Sequence, residues 1–468
     1  MTSPRTSSES LWGGPRTILG LVLAGACALR LVGVRYGLPN GGLLNPDEQV
    51  VVPRAWAVVH GWNVDVHPFF DWPSLLFYVL APFQAWQDEP SYLTARLVVV
   101  ALGVLGVAAA WWLGDRAYGV VAGGVAGVAT AVAGVHVAYS RMAVTDILLT
   151  TLVTVALALL VTGRVELAAA ATGFAIAAKW PGAALAVPLV VATWGQWRRL
   201  GTAAAIALVA FVAASPYAIV HPGEAASDLW RVGSHAREGW LGFENDSFSA
   251  IAFTSHLWQA LGPALVVAVV GLVVALVLRR PEDRVLAAFA LAYFVALLPL
   301  GAHFDRHVLP LVPVLGVLAG RFRSLAPVTL LLLVVPFTWT VRETKELTKT
   351  DTRLAAQPRL EAVAAGPAWA VDPSAPAPRD RVVLHLALPA PWADPDPARD
   401  LDRLRARGVR YVVVTGAVTD RVRAAPDEYP DEVRFYDALE RRASRVWRIE
   451  PGDDLAGPWV ALYRLPDS

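Results

Sequence analysis

Long apolar stretches alternate with short polar ones from residue 17 to about residue 341, and beyond that point the pattern changes. A helix that crosses a bilayer needs about 20 predominantly apolar residues. On that measure the sequence predicts eleven membrane helices, near 17–37, 94–114, 119–139, 146–163, 165–178, 182–197, 201–220, 256–278, 284–301, 308–320 and 325–341. The fifth, sixth and tenth are short, which calls for tilt, re-entry or shifted ends. A further apolar segment, 73–86, is interrupted by Pro82 and reads as lying in the interface or packed against the bundle. The run at 17–37 is too long for the apolar core of a cleaved leader, so it reads as an uncleaved first span. Residues 1–16, rich in Ser, Gly and Pro, read as a disordered cytoplasmic tail.

From 342 the apolar runs shorten to strand length and charges return. The predicted elements are a helix over 352–366, a strand over 380–389, a helix over 397–408 stopped by Gly408, a strand over 409–416, a helix over 431–443 and a closing strand pair, 444–451 with 459–466. The Pro-rich run 367–380 reads as a surface loop. The predicted fold class is therefore an α-helical polytopic membrane protein of about eleven transmembrane helices, 17–341, followed by a soluble α/β domain, 342–468. No internal repeat is visible.

Sidedness follows from Lys and Arg in short loops. With a cytoplasmic amino terminus, the inner connections are short and basic, as in "WRR" at 197–199, "RRPEDR" at 279–284 and "RFR" at 321–323. The other side then carries the long segments 38–93 and 221–255, the turns at 140–145, 179–181 and 302–307, and the α/β domain. The cations on that side sit among acids, His and aromatics.

Composition agrees. The chain has 468 residues, 56% of them hydrophobic, a mean hydropathy of +0.48 and 17% charged residues, against roughly 25% for a soluble protein. A net charge of +1 and the lack of a basic patch interleaved with aromatics argue against nucleic acid as a partner. Cys27 is the only cysteine, which excludes an intrachain disulfide and a cysteine metal cluster.

The polar clusters of the membrane part gather on the outer face. In "NPDEQVVVPRAWAVVHG", 45–61, Asn45 can cap a helix and Pro46 fits its first turn, so Asp47 and Glu48 suit the positive helix end, which by itself describes an ordinary amphipathic helix. Adjacent helical residues point about 100° apart, so one carboxylate at most can serve as a base at a given atom. The stretch 61–86 packs aromatics, including Trp72, around His67, Asp65 and Asp71, as an interfacial belt or as a sugar-holding surface. Arg141 and Asp146 stand at the outer end of two spans, where they either pair locally or serve a site. Lys179, beside Trp180, tips an outer hairpin on the side that disfavours cations, which points to an anionic partner. His303, Asp305, Arg306 and His307 share one tight turn, a polar turn or a set of ligands for a divalent metal. The segment 221–247 is a passive loop or a cover over a site.

The order of "PDEQ", "HPFFDWPSLLFYVLAPF", "TARLVVVALGV", "YSRMAVTDILLT", "GFAIAAKWPGAAL" and "RHVLPLVPVL" resembles the GT-C membrane glycosyltransferases over residues 17–320, most closely the protein O-mannosyltransferase and lipid A aminoarabinose transferase superfamily, a glycosyltransferase family 39-like branch. The resemblance implies an inverting transferase that moves a sugar from a polyprenyl-phosphate donor to an acceptor on the outer side of the cell membrane. It implies Asp47 as catalytic base or acceptor-positioning acid, with Glu48 as companion and Asp146 as the second-loop acid. Lys179 and Arg306, with Arg141, would hold the donor phosphate. His67, Asp71, Trp72, Trp180 and His303 would line the substrate site. The chain departs from the pattern at His307, where an aromatic is common, and at "HPFFDWP", where relatives often show "K/H-P-P-L".

The chemistry is coherent on its own terms. A polyprenyl phosphate whose charge is held by cations leaves without protonation, and an acceptor hydroxyl needs one carboxylate within hydrogen-bond reach. The expected partners are the lipid-linked donor, membrane lipids and a lipid, glycan or protein acceptor. The competing readings are a transporter or flippase of lipid-linked sugars, disfavoured because polar groups cluster at the outer edge and not at the midplane, and a non-catalytic envelope-binding protein.

Overall fold

The computed structural model of the chain describes residues 14–61, 64–65, 69–363 and 368–466. The tail through residue 13 and His67 lie outside the described residues.

The apolar runs form a helical bundle around the 27-residue Tyr92–Tyr118 helix, about 40 Å long at 1.5 Å per residue. Against it pack the helices Pro15–Leu31, Val120–Val132, Asp146–Val161 and Leu311–Gly320. Close approach is made possible by glycine: a Cβ on Gly114 would lie 2.7 Å from the Ala122 carbonyl oxygen, and one on Gly123 2.7 Å from that of Trp111. Small residues at such crossings replace the hydrophobic driving force that lipid removes.

Among the described residues three helices are long and apolar enough to cross a bilayer by themselves, Tyr92–Tyr118, Trp197–Ala214 and Arg323–Glu346. Ser249–Leu261 and Ala264–Leu278 make a fourth if taken together, but they are bent by 114°. The sequence reading of one span over 256–278 is corrected here: Gly262, at φ +55°, and Pro263 stop the first helix and redirect the chain. Several of the other expected spans are shorter apolar helices, among them Asp146–Val161, Val165–Ala178, Trp180–Ala192 and Leu311–Gly320. The segment 73–86, read as lying in the interface or packed against the bundle, takes the second course: it forms the helix Leu75–Gln84 and buries Leu76, Phe77, Leu80 and Ala81 in the bundle core.

The last bundle helix continues past the expected boundary at 341 to Glu346, and the α/β unit begins at the short strand Thr350–Asp351. Its five-stranded sheet runs Val383–His385, Ala368–Val371, Val409–Thr415, Val460–Arg464, Ser444–Ile449. The first three are parallel and the last two antiparallel to their neighbours. Alternate residues of the central strand serve opposite cores: Val412 and Val414 pack with Leu404 and Leu439, and Val413 with Trp369 and Leu462. An uninterrupted "VVV" is the pattern of a strand covered on both faces. The reading of 367–380 as a loop is corrected: Ala368–Val371 is an inner strand, with Trp369 fully buried. The prolines flank those four apolar residues and do not interrupt them, so the ladder loses no donor.

Two contacts tie the α/β unit to the bundle end that carries the candidate site. Arg353, paired with Asp351, donates from Nη2 to the Leu43 carbonyl oxygen at 2.6 Å. The connection after the Pro222–Glu238 helix enters the α/β core through Leu241, and Asn245 donates to the Ala424 carbonyl oxygen at 2.7 Å.

Candidate active site

Asp47 immediately precedes the Glu48–His60 helix, and its backbone N–H is held by the Asn45 side chain at 2.9 Å. That local turn leaves the carboxylate free to reach across the fold, where it accepts from Arg306 Nη1 at 2.6 Å. The partner comes from the 302–307 turn, 259 residues away in sequence. A second pair lies beside it: Asp146, the first residue of its helix, accepts from Lys179 Nζ at 2.6 Å. Lys179 sits in extended backbone where the Val165–Ala178 helix ends before the Trp180–Leu185 turn, which turns its side chain inward.

The two pairs share one field. Burial drives Lys179 below the usual lysine range, Arg306 adds repulsion, and Asp146 and Asp47 oppose the shift. Burial also works against the charge of Arg306, but Asp47, Asp146 and Tyr139 outweigh it and hold the guanidinium above its ordinary value. Burial, with Lys179 and Arg306 close by, pushes His307 down to about 3, so it is a neutral imidazole at pH 7. The Nε of Arg306 and the Nδ1 of His307 are buried without a hydrogen-bond partner. The cluster thus contains spare polar capacity in a desolvated place, where each such group is costly unless something meets it.

Tyr139, not singled out from the sequence, and Asp305, considered there as part of a polar turn or metal-ligand set, position Arg306. Tyr139 donates its hydroxyl to Asp305 Oδ1 at 2.8 Å, and the same oxygen accepts from the Arg306 backbone N–H at 2.8 Å. Tyr139 belongs to the "YSRMAVTD" stretch, but nothing in that spacing reveals a partner 166 residues away.

Several expected site residues do other work. Glu48 is fully buried and takes both oxygens to Arg96, at 2.8 and 2.6 Å, and one also to the Ala143 N–H at 2.9 Å. It is a bracket between helices, and this corrects its role as catalytic companion. Arg141 turns away from the cluster, donating to the Leu29 carbonyl oxygen at 2.6 Å and to Thr344 Oγ1 at 2.7 Å. It joins the first and last bundle helices, so the local pair with Asp146 is not formed and its guanidinium is engaged away from the cluster. His303 has both ring nitrogens engaged, Nδ1 with Asp246 and Nε2 with Ser249, each at 3.1 Å, which makes it a link between the 239–249 connection and the Arg306 turn.

The aromatic stretch forms a neighbouring wall. Asp71 pairs with Arg231 of the Pro222–Glu238 helix, and burial raises its carboxyl pKa although Arg231 opposes the shift. Trp72 meets Phe69 edge to face at 5.3 Å, and Trp180 donates from Nε1 to the Phe70 carbonyl oxygen at 3.2 Å. The expected cover, 221–247, is therefore held on the site side by Arg231 and by Asp246. Among the described residues no three His, Cys, Asp or Glu side chains converge as a metal site. His303 and Asp305 face separate partners, so the turn does not form the metal-ligand set considered from the sequence.

The model of glycosyltransferase family 87 matches residues 70–301, just under half of the chain. That segment includes Asp146 and Lys179 and lies between Asp47 and Arg306. No curated protein matches the chain in sequence. Among solved structures, ArnT from Cupriavidus metallidurans bound to undecaprenyl phosphate is 20% identical with a TM-score of 0.53, over 75% of this chain and 66% of that one. Its apo form gives a TM-score of 0.51 over the same shares. This chain therefore spans just under two thirds of the length of ArnT. The Archaeoglobus fulgidus oligosaccharyltransferase tethered with an acceptor peptide is 11% identical with a TM-score of 0.59, over 92% of this chain and 72% of that one. At such identities the likeness is one of fold. The resemblance read from the motifs holds at the level of the GT-C fold, while the family model that matches is 87 and not 39. The family 87 match over 70–301 and the fold of ArnT and of the archaeal oligosaccharyltransferase are thus what this chain is similar to.

Proposed function

We propose that the chain transfers a sugar, with inversion, from a polyprenyl-phosphate donor to an acceptor hydroxyl on the outer face of the membrane. Asp47 is the general base, and Lys179 and Arg306 hold the donor phosphate. One observation carries the reading: the Asp47–Arg306 and Asp146–Lys179 pairs meet in a single buried field at one end of the bundle.

The donor phosphodiester carries one negative charge, and the departing polyprenyl phosphate carries two. Cations fixed at the phosphate are therefore worth more as the bond breaks than before, which is the condition for accelerating the chemical step. Asp47 and Asp146 hold those cations in place. A phosphate oxygen that takes over Arg306, using its unpartnered Nε as a second donor, releases the Asp47 carboxylate to meet the acceptor hydroxyl. The acceptor oxygen then attacks the anomeric carbon, the bond to the phosphate oxygen breaks with its electrons on the phosphate, and the hydroxyl proton passes to Asp47.

The lipid-linked donor is supported by the fold neighbours, of which ArnT was solved with undecaprenyl phosphate and the archaeal AglB with a dolichol-phosphate. The outer location is supported by the short basic loops of the opposite face. The contacts of Arg353 and Asn245 with the site end of the bundle support reading the α/β unit as an extracytoplasmic soluble domain. The test is Asp47→Asn. Transfer from a labelled polyprenyl-phosphate sugar should fall by roughly 10²- to 10⁴-fold, the usual worth of a general base, with donor binding retained. Turnover near that of the unmodified protein would reject Asp47 as the base.

A further inference from the structure

We propose that the α/β unit carries a second binding site, a cleft for a neutral oligosaccharide, apart from the membrane-edge cluster. The choice of a sugar chain as occupant rests on the transfer reaction proposed above; the cleft itself does not.

The cleft lies between the helices Leu401–Ala406 and Pro430–Arg442 and measures about 470 Å³, within the range of roughly 300–1,000 Å³ typical of ligand clefts. Its lining is unusual in kind. Four aspartates and four arginines account for eight of its thirteen residues, so its formal charge is zero. Arg442 reaches across to Asp402 at 2.6 Å, and Arg434 pairs with Asp431. An anion at Arg442 or Arg434, or a cation at Asp402 or Asp431, would have to break these pairs. A polyhydroxylated, uncharged ligand needs no such exchange, because each hydroxyl both donates and accepts and can add to a carboxylate oxygen or a guanidinium N–H that the pairs leave open.

The floor strengthens the case. The Arg399 side chain is only 2% exposed, with Nη2 on Asp372 at 2.8 Å and Nη1 on the Tyr436 hydroxyl at 2.9 Å. Its Nε is buried with no partner among the described residues. A buried guanidinium with an unmet donor, lining a cavity, is what a hydroxyl ligand would complete.

The cleft also has a neighbour. A second hollow of about 130 Å³ shares Asp396 with it and is walled by Tyr429, whose hydroxyl donates to Glu244 at 2.5 Å. Trp392, in the same wall segment, stacks on His235 with ring centroids 4.2 Å apart and meets Trp240 at 4.9 Å. Flat, half-buried rings at the end of a polar cleft suit a chain of sugar rings more than a compact ion.

The experiment is calorimetric titration of the full-length protein in nanodiscs with linear pentasaccharides of mannose, glucose and arabinose, and separately with inorganic phosphate. At least one pentasaccharide should bind. Asp402→Ala with Arg442→Ala should weaken that binding tenfold or more at unchanged thermal stability, and Arg403→Ala should weaken it if the double variant proves misfolded. Asp47→Ala should bind within twofold of the unmodified protein, so failure of the transfer reading and failure of the cleft are read separately. The proposal falls if no pentasaccharide binds, if phosphate binds more tightly than every pentasaccharide, or if the cleft variants bind normally.

Discussion

Asp47 and Glu48 are neighbours in sequence, yet they end in two different regions of the molecule. Glu48 enters a sealed bracket: fully buried, it is matched in both oxygens by Arg96 and held again by the Ala143 N–H. Asp47 enters the candidate-site cluster, where its side chain keeps 23% exposure and its partner Arg306 has a donor to spare. The same chemistry, a carboxylate on a guanidinium, is complete in one region and incomplete in the other. A complete pair fixes helices; an incomplete one in a desolvated place can exchange its partner for a ligand. What separates structure from function here is the count of unmet polar groups around the pair, not residue type or position in the chain.

That contrast can be broken most sharply at Glu48. Replacement by Gln strands a buried Arg96 and should cost about 3–5 kcal/mol of stability, read as a large fall in the thermal midpoint of the purified protein. The fraction that remains folded should turn over normally. Asp47→Asn should do the reverse, with transfer lost and a smaller cost in stability than Glu48→Gln, because Asp47 keeps 23% exposure where Glu48 is fully buried. If Glu48→Gln abolished transfer at unchanged stability, the two regions would have to be reassigned.

A smaller effect is expected at Tyr139, which touches the site only through Asp305. Tyr139→Phe removes one hydrogen bond worth about 1 kcal/mol, so turnover should fall by roughly 3- to 10-fold, with Asp305→Asn giving a loss of the same kind. A loss as deep as that of Asp47→Asn would make Tyr139 a proton carrier, which the geometry does not call for.

The last effect appears only as pH falls. His307 is pushed down to about 3 by burial and its cationic neighbours, against about 6.5 when unfolded. Between those values the unfolded chain binds a proton that the folded chain refuses, so stability rises with pH over that window and is lost as pH falls through it. His307→Gln should flatten the acid side of the stability profile and leave it unchanged above pH 7, as measured by thermal midpoints in a buffer series.

Much of this arrangement was legible in the sequence, for identifiable reasons. Span counting and the asymmetry of Lys and Arg put Asp47, Asp146, Lys179 and Arg306 on one face, because lipid forces polar groups to the ends of helices. The strand Val409–Thr415 and the Gly408 stop were readable from local pattern alone. Partners were not. Arg96 lies inside an apolar run, so nothing marked Glu48 as structural, and Arg141 looked like a site cation because Thr344, its partner, is 203 residues away. The strand Ala368–Val371 was hidden by flanking prolines, and its burial is decided by the two strands that pair with it. Each miss concerns a contact made across the fold, which local spacing does not encode.

The central claim is that the membrane-edge cations hold an anionic lipid head. It is tested most directly by titrating undecaprenyl phosphate into the nanodisc-embedded protein and into its Lys179→Ala, Arg306→Ala double variant. Two charge-assisted hydrogen bonds at roughly 1.5–3 kcal/mol each predict a loss of affinity of at least 100-fold, with Glu48 and the bracket intact and the protein still folded. Equal affinity in both proteins would contradict the account.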